Sequence, residues 1–322
     1  MSLGEFELIG KYFAARDRRA DVLLGIGDDS AILAVPEGKR LVVAMDTIVE
    51  GVHFLSGSDP FDIGYRAVAV NLSDIAAMGA VPSWMTLSLS LPQSDEHWVQ
   101  RLAAGLFDLA SKHDVALVGG DTVKGPLVIT VQIAGWVEAD RWLTRSGARV
   151  GDALFVSGTP GEAAAGLDLL KRAAHQSNTA DSEHLRTRFL RPQPRIALGR
   201  ELRGIATSAM DISDGLLTDL DKLCAASGCG AQLDLGRLPR SAAMHALFAP
   251  SQCLEFALSG GDDYEILFTV PSAQAHLVGD LDVACTRIGV MTDDTRVECL
   301  LDGQPVTIAR RGYDHFASSA RS

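Results

Sequence analysis

The sequence predicts an α/β (α+β) protein of two domains, and three observations carry that reading. The 322 residues are enough for two ordinary cores. Apolar runs of period two alternate along the chain with runs of helical period. A turn-rich segment, Arg145-Ser-Gly-Ala-Arg-Val-Gly-Asp152, separates two such series and divides the chain into residues 1–148 and 149–322. A composition of 47% hydrophobic and 22% charged residues belongs to a folded globular chain.

Phe6, Ile9 and Phe13 mark a short amphipathic helix. The turn Gly25-Ile-Gly27-Asp28-Asp29 lacks the third glycine of a dinucleotide fingerprint and leads into a strand-like run, Ile32 to Val35, rather than a helix. Its adjacent carboxylates repel unless a cation intervenes, so Asp29 is a candidate metal ligand. Leu41 to Met45 reads as a strand ending at Asp46-Thr47, and strand ends are common places for a ligand such as Asp46. His53, close to Asp46, is either a structural histidine or a functional one. In the helix pattern Arg66 to Pro82, Asp74 falls beside Ala67, Val70, Ala77 and Met78, so its carboxylate points where core residues point. A charge placed there needs a basic partner, backbone donors or a metal. Thr86 to Leu91 alternates as a half-buried strand. Ser94-Asp95-Glu96 caps a helix carrying Trp98, Leu102, Leu106 and Leu109. Val115 to Val118 runs into Gly119-Gly120-Asp121-Thr122, where glycines let the backbone approach a phosphate or metal and Asp121 adds a carboxylate. Val128 to Val137 is a further strand with Ile129, Val131 and Ile133 on one face.

Past the boundary, Ala153 to Val156 is a strand, and Gly158-Thr-Pro-Gly161 turns into a helix from Glu162 to Leu170 whose N-terminus either holds an anion or is simply capped. Arg145 can serve as a phosphate-gripping arm. His175 to His184 reads as a polar loop, and Arg191 to Arg195 leads into another helix. Ser208 to Asp211 enters Ile212-Ser213-Asp214-Gly215. If a helix begins at Ser213, Asp211 lies at the strand exit and Asp214 in the first turn, both facing one cluster of cations. Tyr264 to Val270, Ala284 to Val290 and Arg296 to Leu301 are strands of the second sheet. Tyr313 and Phe316 near the end are a core plug or the wall of a site for a flat ring.

One grammar recurs. Leu72-Ser73-Asp74 and Ile212-Ser213-Asp214 are each followed by Gly-Gly-Asp, at Asp121 and Asp262, 47 and 48 positions on. Chance and an old duplication both fit. The net charge of −12 excludes a general nucleic-acid binder, yet an acidic chain can bind phosphorylated small molecules through divalent cations. No apolar run reaches the ~18 residues of a membrane span, and the N-terminus lacks the basic and apolar regions of a signal peptide, so a cytoplasmic protein is expected. Five cysteines without a Cys-x-x-Cys pair read as buried reduced thiols. There is no Walker A motif, no kinase Gly-rich loop with its strand lysine, and no Asp-x-Asp-Gly-Thr of a haloacid-dehalogenase-like phosphatase.

Gly27-Asp28-Asp29, Asp46-Thr47, Glu50-Gly-Val-His53-Phe54, Asn71-Leu-Ser-Asp-Ile-Ala-Ala-Met-Gly79, Gly119-Gly-Asp-Thr122, Arg145-Ser-Gly-Ala148, Met210-Asp-Ile-Ser-Asp-Gly-Leu216, Ser259-Gly-Gly-Asp-Asp-Tyr264 and Gly312-Tyr-Asp-His-Phe316 together resemble the thiamine-monophosphate kinases. These belong to the wider aminoimidazole-ribonucleotide-synthetase-like superfamily, which shares single motifs such as Gly-Gly-Asp; the His53 and Tyr313 segments are the more kinase-specific ones. The resemblance implies an N-terminal mixed sheet with helices that forms a homodimer, a C-terminal α/β sandwich domain, and ATP-dependent phosphorylation of thiamine monophosphate to thiamine diphosphate with several Mg2+ ions. It implies Asp29, Asp46, Asp74, Asp121, Asp211 and Asp214 as metal ligands. Gly120, Asp121, Arg145 and Ser213 would contact ATP, and His53, Asp262 and Tyr313 the thiamine phosphate. An acceptor phosphate already ionised near neutral pH calls for no strong general base.

The chain departs from the family where Asp262 replaces a usual Glu, one methylene longer, and where Ala44 and Met45 replace Ser or Thr, leaving only backbone carbonyls for a metal contact there. Alternatives are another ATP-using superfamily member or a catalytically silent metal- and nucleotide-binding dimer. A selenophosphate-synthetase type would call for a reactive cysteine near the N-terminus, and none precedes Cys224.

Overall fold

A computed structural model describes residues 4–14, 19–172, 179–309 and 312–313. The first part of the expected polar loop, 175–178, and the expected Phe316 lie outside the described residues. The chain forms two compact units, Met1–Trp142 and Leu143–Ser322.

In the first unit, α1 (Glu5–Leu8) continues as one π-helical turn, Ile9–Phe13, which buries Phe13; the side chain of Phe6 lies outside the described part. Strands β1 (Val22–Leu24) and β2 (Ile32–Leu33) pair by themselves. β3 (Lys39–Val49), α2 (Pro60–Ala77), β4 (Val81–Leu91), α3 (Glu96–Lys112), β5 (Ala116–Lys124) and β6 (Val128–Glu138) follow, with sheet order β3-β6-β4-β5. β4 and β5 are parallel, which requires a crossover, and α3 supplies it. α2 starts where Asp59 accepts the Phe61 N–H at 2.9 Å and Pro60 presets the first turn. The two helices touch through glycines: a Cβ on Gly64 would lie 2.1 Å from the Leu102 carbonyl oxygen, and one on Gly105 1.9 Å from that of Phe61. Leu72, Ile75, Trp84, Met85, Leu89, Leu102, Ile129 and Ile133 are fully buried in this unit.

Two expectations are corrected here. β3 does not end at Asp46 but pairs with β6 from Lys39 opposite Glu138 to Val49 opposite Val128, so Asp46 is internal to the strand. β5 likewise carries Gly119, Gly120 and Asp121 within it, opposite Thr86, Leu87 and Ser88. The edge strand β3 shows a row of Leu41, Val43 and Met45 to solvent, 53%, 50% and 65% exposed.

The second unit contains β7 (Ala153–Ser157), α4 (Glu162–Lys171), α5 (Ala180–Leu190), α6 (Ile196–Glu201), β8 (Ser208–Asp211), α7 (Leu216–Ser227), β9 (Gly230–Asp234), α8 (Ala242–Leu247), α9 (Pro250–Ser259), β10 (Ile266–Val270), β11 (Cys285–Thr292), β12 (Val297–Leu301) and β13 (Gln304–Val306). Its seven-stranded sheet has the order β13-β12-β9-β11-β7-β10-β8. Among the described residues of this sheet, β12 and β9 run parallel and the other neighbouring pairs antiparallel. One core joins α7 to the sheet through Leu216, Leu220, Leu223, Leu154, Leu233 and Leu267. A second gathers Leu169, Leu185, Met244, Phe248 and Cys253 from the helices. The stretch read as a loop up to His184 is already helical from Ala180, because Thr179 and Ser182 form a reciprocal cap and Leu185 and Phe189 bury the helix face. The helix expected at Ser213 begins instead at Leu216, so Asp214 precedes it. The five cysteines are free thiols, four buried and Cys285 half-buried. Among the described residues no helix is long and apolar enough to cross a membrane.

Candidate functional site

The first unit has a cavity of about 140 Å³ lined by Asp28, Asp29, Gly119, Gly120 and Asp121, with Ile9 and Phe13 as apolar wall. The structure thus brings Asp29 and Asp121 to one cavity, together with Asp28. Gly120 is glycine for a packing reason: its φ is +155° and a Cβ would lie 2.0 Å from the backbone oxygen of Leu87 on the neighbouring strand. Asp46 is half-buried and tied to α2, its N–H donating to Asn71 Oδ1 at 3.0 Å. Fully buried Asn71 donates in turn to the Ala67 carbonyl at 2.9 Å. Asp74, three residues on, is half-buried beside the buried Ser73 and Ile75, so it escapes the full desolvation that a core position would impose. His53 Nδ1 accepts the Val49 N–H at 3.1 Å. In the neutral ring the proton therefore rests on Nε2, and His53 presents a donor rather than a base.

In the second unit, backbone hydrogen bonds converge on Ile212-Ser213-Asp214. The N–H groups of Asp262 and Tyr264 donate to the carbonyls of Ser213 (2.8 Å) and Ile212 (2.9 Å), and Tyr313 N–H donates to that of Asp214 (2.9 Å). Ser213, Asp214, Asp262 and Tyr313 are thereby gathered into one loop cluster, and Asp211 ends β8 immediately before it. The N–H groups of Ser213 and Asp214 both donate to Asp219 Oδ2 at 3.0 Å, and this fully buried carboxylate also accepts from Lys222. Burial pushes the Asp219 carboxyl up, and Lys222 opposes it. Arg145 is exposed, its carbonyl held by the Ser227 hydroxyl at 3.1 Å.

Beneath this cluster lies a buried ionic layer. Asp262 and Tyr264 both adopt positive φ, 67° and 54°, on either side of buried Asp263; such backbone persists only where neighbours over-determine it. Asp263 provides that anchoring by accepting the N–H groups of Gly161 (2.7 Å) and Ala163 (3.2 Å). The N-terminus of α4, open to either reading from sequence, is therefore capped by the chain's own carboxylate, whose proton affinity burial raises well above the ordinary range. Glu265, fully buried, accepts from Ser157 Oγ, from Arg188 Nη2 at 2.7 Å and from Arg195 Nε at 2.7 Å. Burial works against its charge, but the two guanidinium groups and the hydroxyl outweigh that and hold its carboxyl below the usual range.

Asp219, Lys222 and Glu265 escaped the sequence reading, and Asn71 and Asp263 entered it only as motif members without a role of their own. A signal existed for Asp219, a carboxylate inside the apolar stripe Leu216, Leu217, Leu220, Leu223, and for Glu265, a charge at the head of the apolar strand Ile266 to Val270. Among the described residues no three His, Cys, Asp or Glu side chains stand close enough to hold a metal by themselves. The donor set lining the cavity is nonetheless all hard oxygen, which fits Mg2+: that ion keeps several waters and takes one or two carboxylates together with substrate phosphates.

Residues 27–137 match the N-terminal domain and residues 149–302 the C-terminal domain of the AIR synthase related proteins. The thiamine-monophosphate kinase of Escherichia coli K12 is 50% identical over 324 residues, covering 99% of this chain and 100% of that one. That of Bacillus subtilis is 34% identical over 98% of this chain and 100% of its own. Among solved structures, the thiamine-monophosphate kinase of Stenotrophomonas maltophilia K279a superposes with a TM-score of 0.86 at 45% identity, covering 95% of this chain and 99% of that one. A structure of AaThiL complexed with AMPPCP and TMP gives 0.79 at 34% identity, over 90% and 92%. Escherichia coli HypE, a hydrogenase maturation protein, shares the fold alone, at 20% identity and a TM-score of 0.76 over 97% and 98%.

Proposed function

The chain belongs to the AIR synthase related proteins and, within them, to the thiamine-monophosphate kinases, and from that premise we propose that it transfers the γ-phosphoryl group of ATP to thiamine monophosphate, giving thiamine diphosphate. The observation that carries the reading is the AaThiL complex, in which a relative 34% identical to this chain holds an ATP analogue and TMP together.

The transfer is direct and in line, with no covalent enzyme intermediate, because the acceptor is itself a phosphate that is ionised near neutral pH. What the protein contributes is position and charge. Asp29, Asp46, Asp74, Asp121, Asp211 and Asp214 are the residues that would hold Mg2+. When bound, the ion neutralises the repulsion between two anionic phosphates and polarises their oxygens. Gly120, Asp121, Arg145 and Ser213 contact ATP, and Arg145 offers two parallel donors to its phosphate oxygens. His53, Asp262 and Tyr313 contact the thiamine phosphate, His53 as an Nε2–H donor. No residue acts as a strong general base.

The exposed row Leu41, Val43 and Met45 on β3 supports a homodimer formed through this sheet, since such a row is a natural interaction surface. Five free thiols support a reducing, cytoplasmic setting. The deciding experiment incubates the purified chain with Mg-ATP and thiamine monophosphate and follows thiamine diphosphate as its oxidised fluorescent derivative. Product is expected, and its loss in Asp74→Asn ties turnover to α2. ATP binding without product overturns the reading.

A further inference from the structure

We propose that Lys222 is a built-in cation of the second unit's loop cluster, which holds Asp214 in competition with divalent metal and so weakens metal binding at that carboxylate. This rests on the reading of Asp214 as a metal ligand, and goes beyond it by naming what the metal must displace.

Lys222 Nζ lies 2.5 Å from Asp214 Oδ2 and 2.7 Å from Asp219 Oδ1. The second contact fixes the first. Asp219 is fully buried one turn earlier on the same helix, and its other oxygen is committed to the N–H groups of Ser213 and Asp214, both at 3.0 Å. The ammonium is thus anchored on the buried Asp219 carboxylate and from there reaches Asp214 Oδ2. The same contacts order the Ser213–Asp214 turn whose carbonyls receive Asp262 and Tyr313. With the ammonium in place, the Asp214 carboxylate meets an incoming cation with a positive charge already bound to it.

A divalent ion approaching Asp214 therefore has two routes. It would either displace the ammonium onto Asp219 alone or bind Asp214 beside a fixed positive charge. Either route weakens its binding by a Coulomb term that water moderates, since the Lys222 side chain is 37% exposed. The turn, in exchange, is ordered before any metal arrives, which lessens the reorganisation needed when substrate binds.

The test is a Mn2+ titration of the full chain, read as free Mn2+ by electron paramagnetic resonance, so that it needs no turnover. Lys222→Met removes the competing charge. Lys222→Gln removes the charge but keeps an N–H donor for Asp219, guarding against damage to the turn. Lys222→Arg keeps the charge. We expect Lys222→Met and Lys222→Gln to bind Mn2+ about tenfold more tightly than the unmodified chain, Lys222→Arg to match it, and Asp214→Asn to abolish the gain. A purely structural lysine gives the opposite sign, because a loosened Ser213–Asp214 turn binds metal less well. Affinity equal or weaker in Lys222→Gln overturns the proposal. If Asp214→Asn leaves the isotherm unchanged both alone and combined with Lys222→Gln, Asp214 is no ligand and both readings fall. If Asp214→Asn weakens binding but Lys222→Gln changes nothing, only the competition fails.

Discussion

Replacing Glu265 by glutamine tests whether the buried ionic layer holds up the loop cluster. The carboxylate is fully buried and accepts from Ser157, Arg188 and Arg195. Glutamine keeps one accepting oxygen and turns two donors toward guanidinium groups that are themselves donors only. Removing one partner of a buried pair costs about 3–5 kcal/mol. The low end applies here, because Arg188 keeps Glu162 at 3.1 Å and the Arg195 side chain is 18% exposed. For a unit of about 180 residues, a loss of about 3 kcal/mol lowers Tm by roughly 6–12 °C. The assay is urea and thermal unfolding followed by circular dichroism at several pH values. Because the folded protein holds the Glu265 carboxyl below its unfolded value, the stabilisation is fully present above the unfolded carboxylate range, about pH 4.3, and is lost as pH falls through the folded pKa. The gap between the unmodified chain and Glu265→Gln should therefore narrow below about pH 4. Asp263, with its carboxyl raised by burial, has the opposite sign: its contribution is present at low pH and lost as pH rises through its folded value. The Glu265 charge itself contributes to that raised value, so the same comparison repeated in an Asp263→Asn background isolates Glu265. A loss under about 1 kcal/mol at pH 7, or a gap that does not change between pH 3 and 7, refutes the reasoning.

Gly120→Ala places a Cβ 2.0 Å from the Leu87 carbonyl oxygen, a backbone atom that cannot rotate away; calorimetry should record lost ATP binding with at least about 2 kcal/mol of destabilisation, and an unchanged affinity would remove Gly120 from the nucleotide site. Asn71→Ala removes the acceptor of the Asp46 N–H and the second, side-chain donor to the Ala67 carbonyl, which should cost about 1–3 kcal/mol in urea unfolding and lower kcat; lost stability with kcat intact would show that Asn71 does not position Asp46. His53→Asn retains an oxygen for the Val49 N–H but withdraws the Nε2 donor, so the KM for thiamine monophosphate should rise with Tm little changed. A pH–rate limb near 6.5 that disappears in this variant would mean that His53 works as a base after all.

Elements with a strong local period were legible from sequence. Leu87, Leu89 and Leu91 alternate with exposed or half-buried serines on β4, and Asp95 caps α3 in place, whereas the helix read over Arg66 to Pro82 runs instead from Pro60 to Ala77, with Val81 and Pro82 already in β4. What failed were boundaries decided by a distant partner. β3 runs three residues past Asp46 because β6 offers a full ladder, and Asn71 of α2 accepts the Asp46 N–H that β6 does not take. α7 starts late because the Asp219 side chain takes the N–H groups of Ser213 and Asp214, and so holds as a loop the residues that propensity alone would place in the first turn. The candidate ligands were legible one by one, as carboxylates beside glycine. Their supports were not, because Asn71, Asp263 and Glu265 acquire meaning only through contacts with residues 25 to 108 positions away.

The recurring Ser-Asp and Gly-Gly-Asp words illustrate the same limit from the other side. In the first unit Asp74 lies in the last turn of α2, and Gly119-Gly120-Asp121 lies inside β5 with its backbone paired to β4. In the second, Asp214 stands in a loop ahead of α7, and Gly260-Gly261-Asp262 follows the end of α9 as an irregular segment with Asp262 at positive φ. The repetition is therefore one of residue type and not of local structure. The glycines serve close approach in both places, but to different neighbours: a Cβ on Gly120 would meet Leu87, whereas one on Gly261 would lie 2.5 Å from the Ser213 carbonyl oxygen. In the second unit that approach brings Asp262 against the Ser213 turn. In the first it leaves Asp121 on a strand facing the cavity shared with Asp28 and Asp29. Carboxylates beside closely packed glycine backbone thus occur in both units on unrelated local structures.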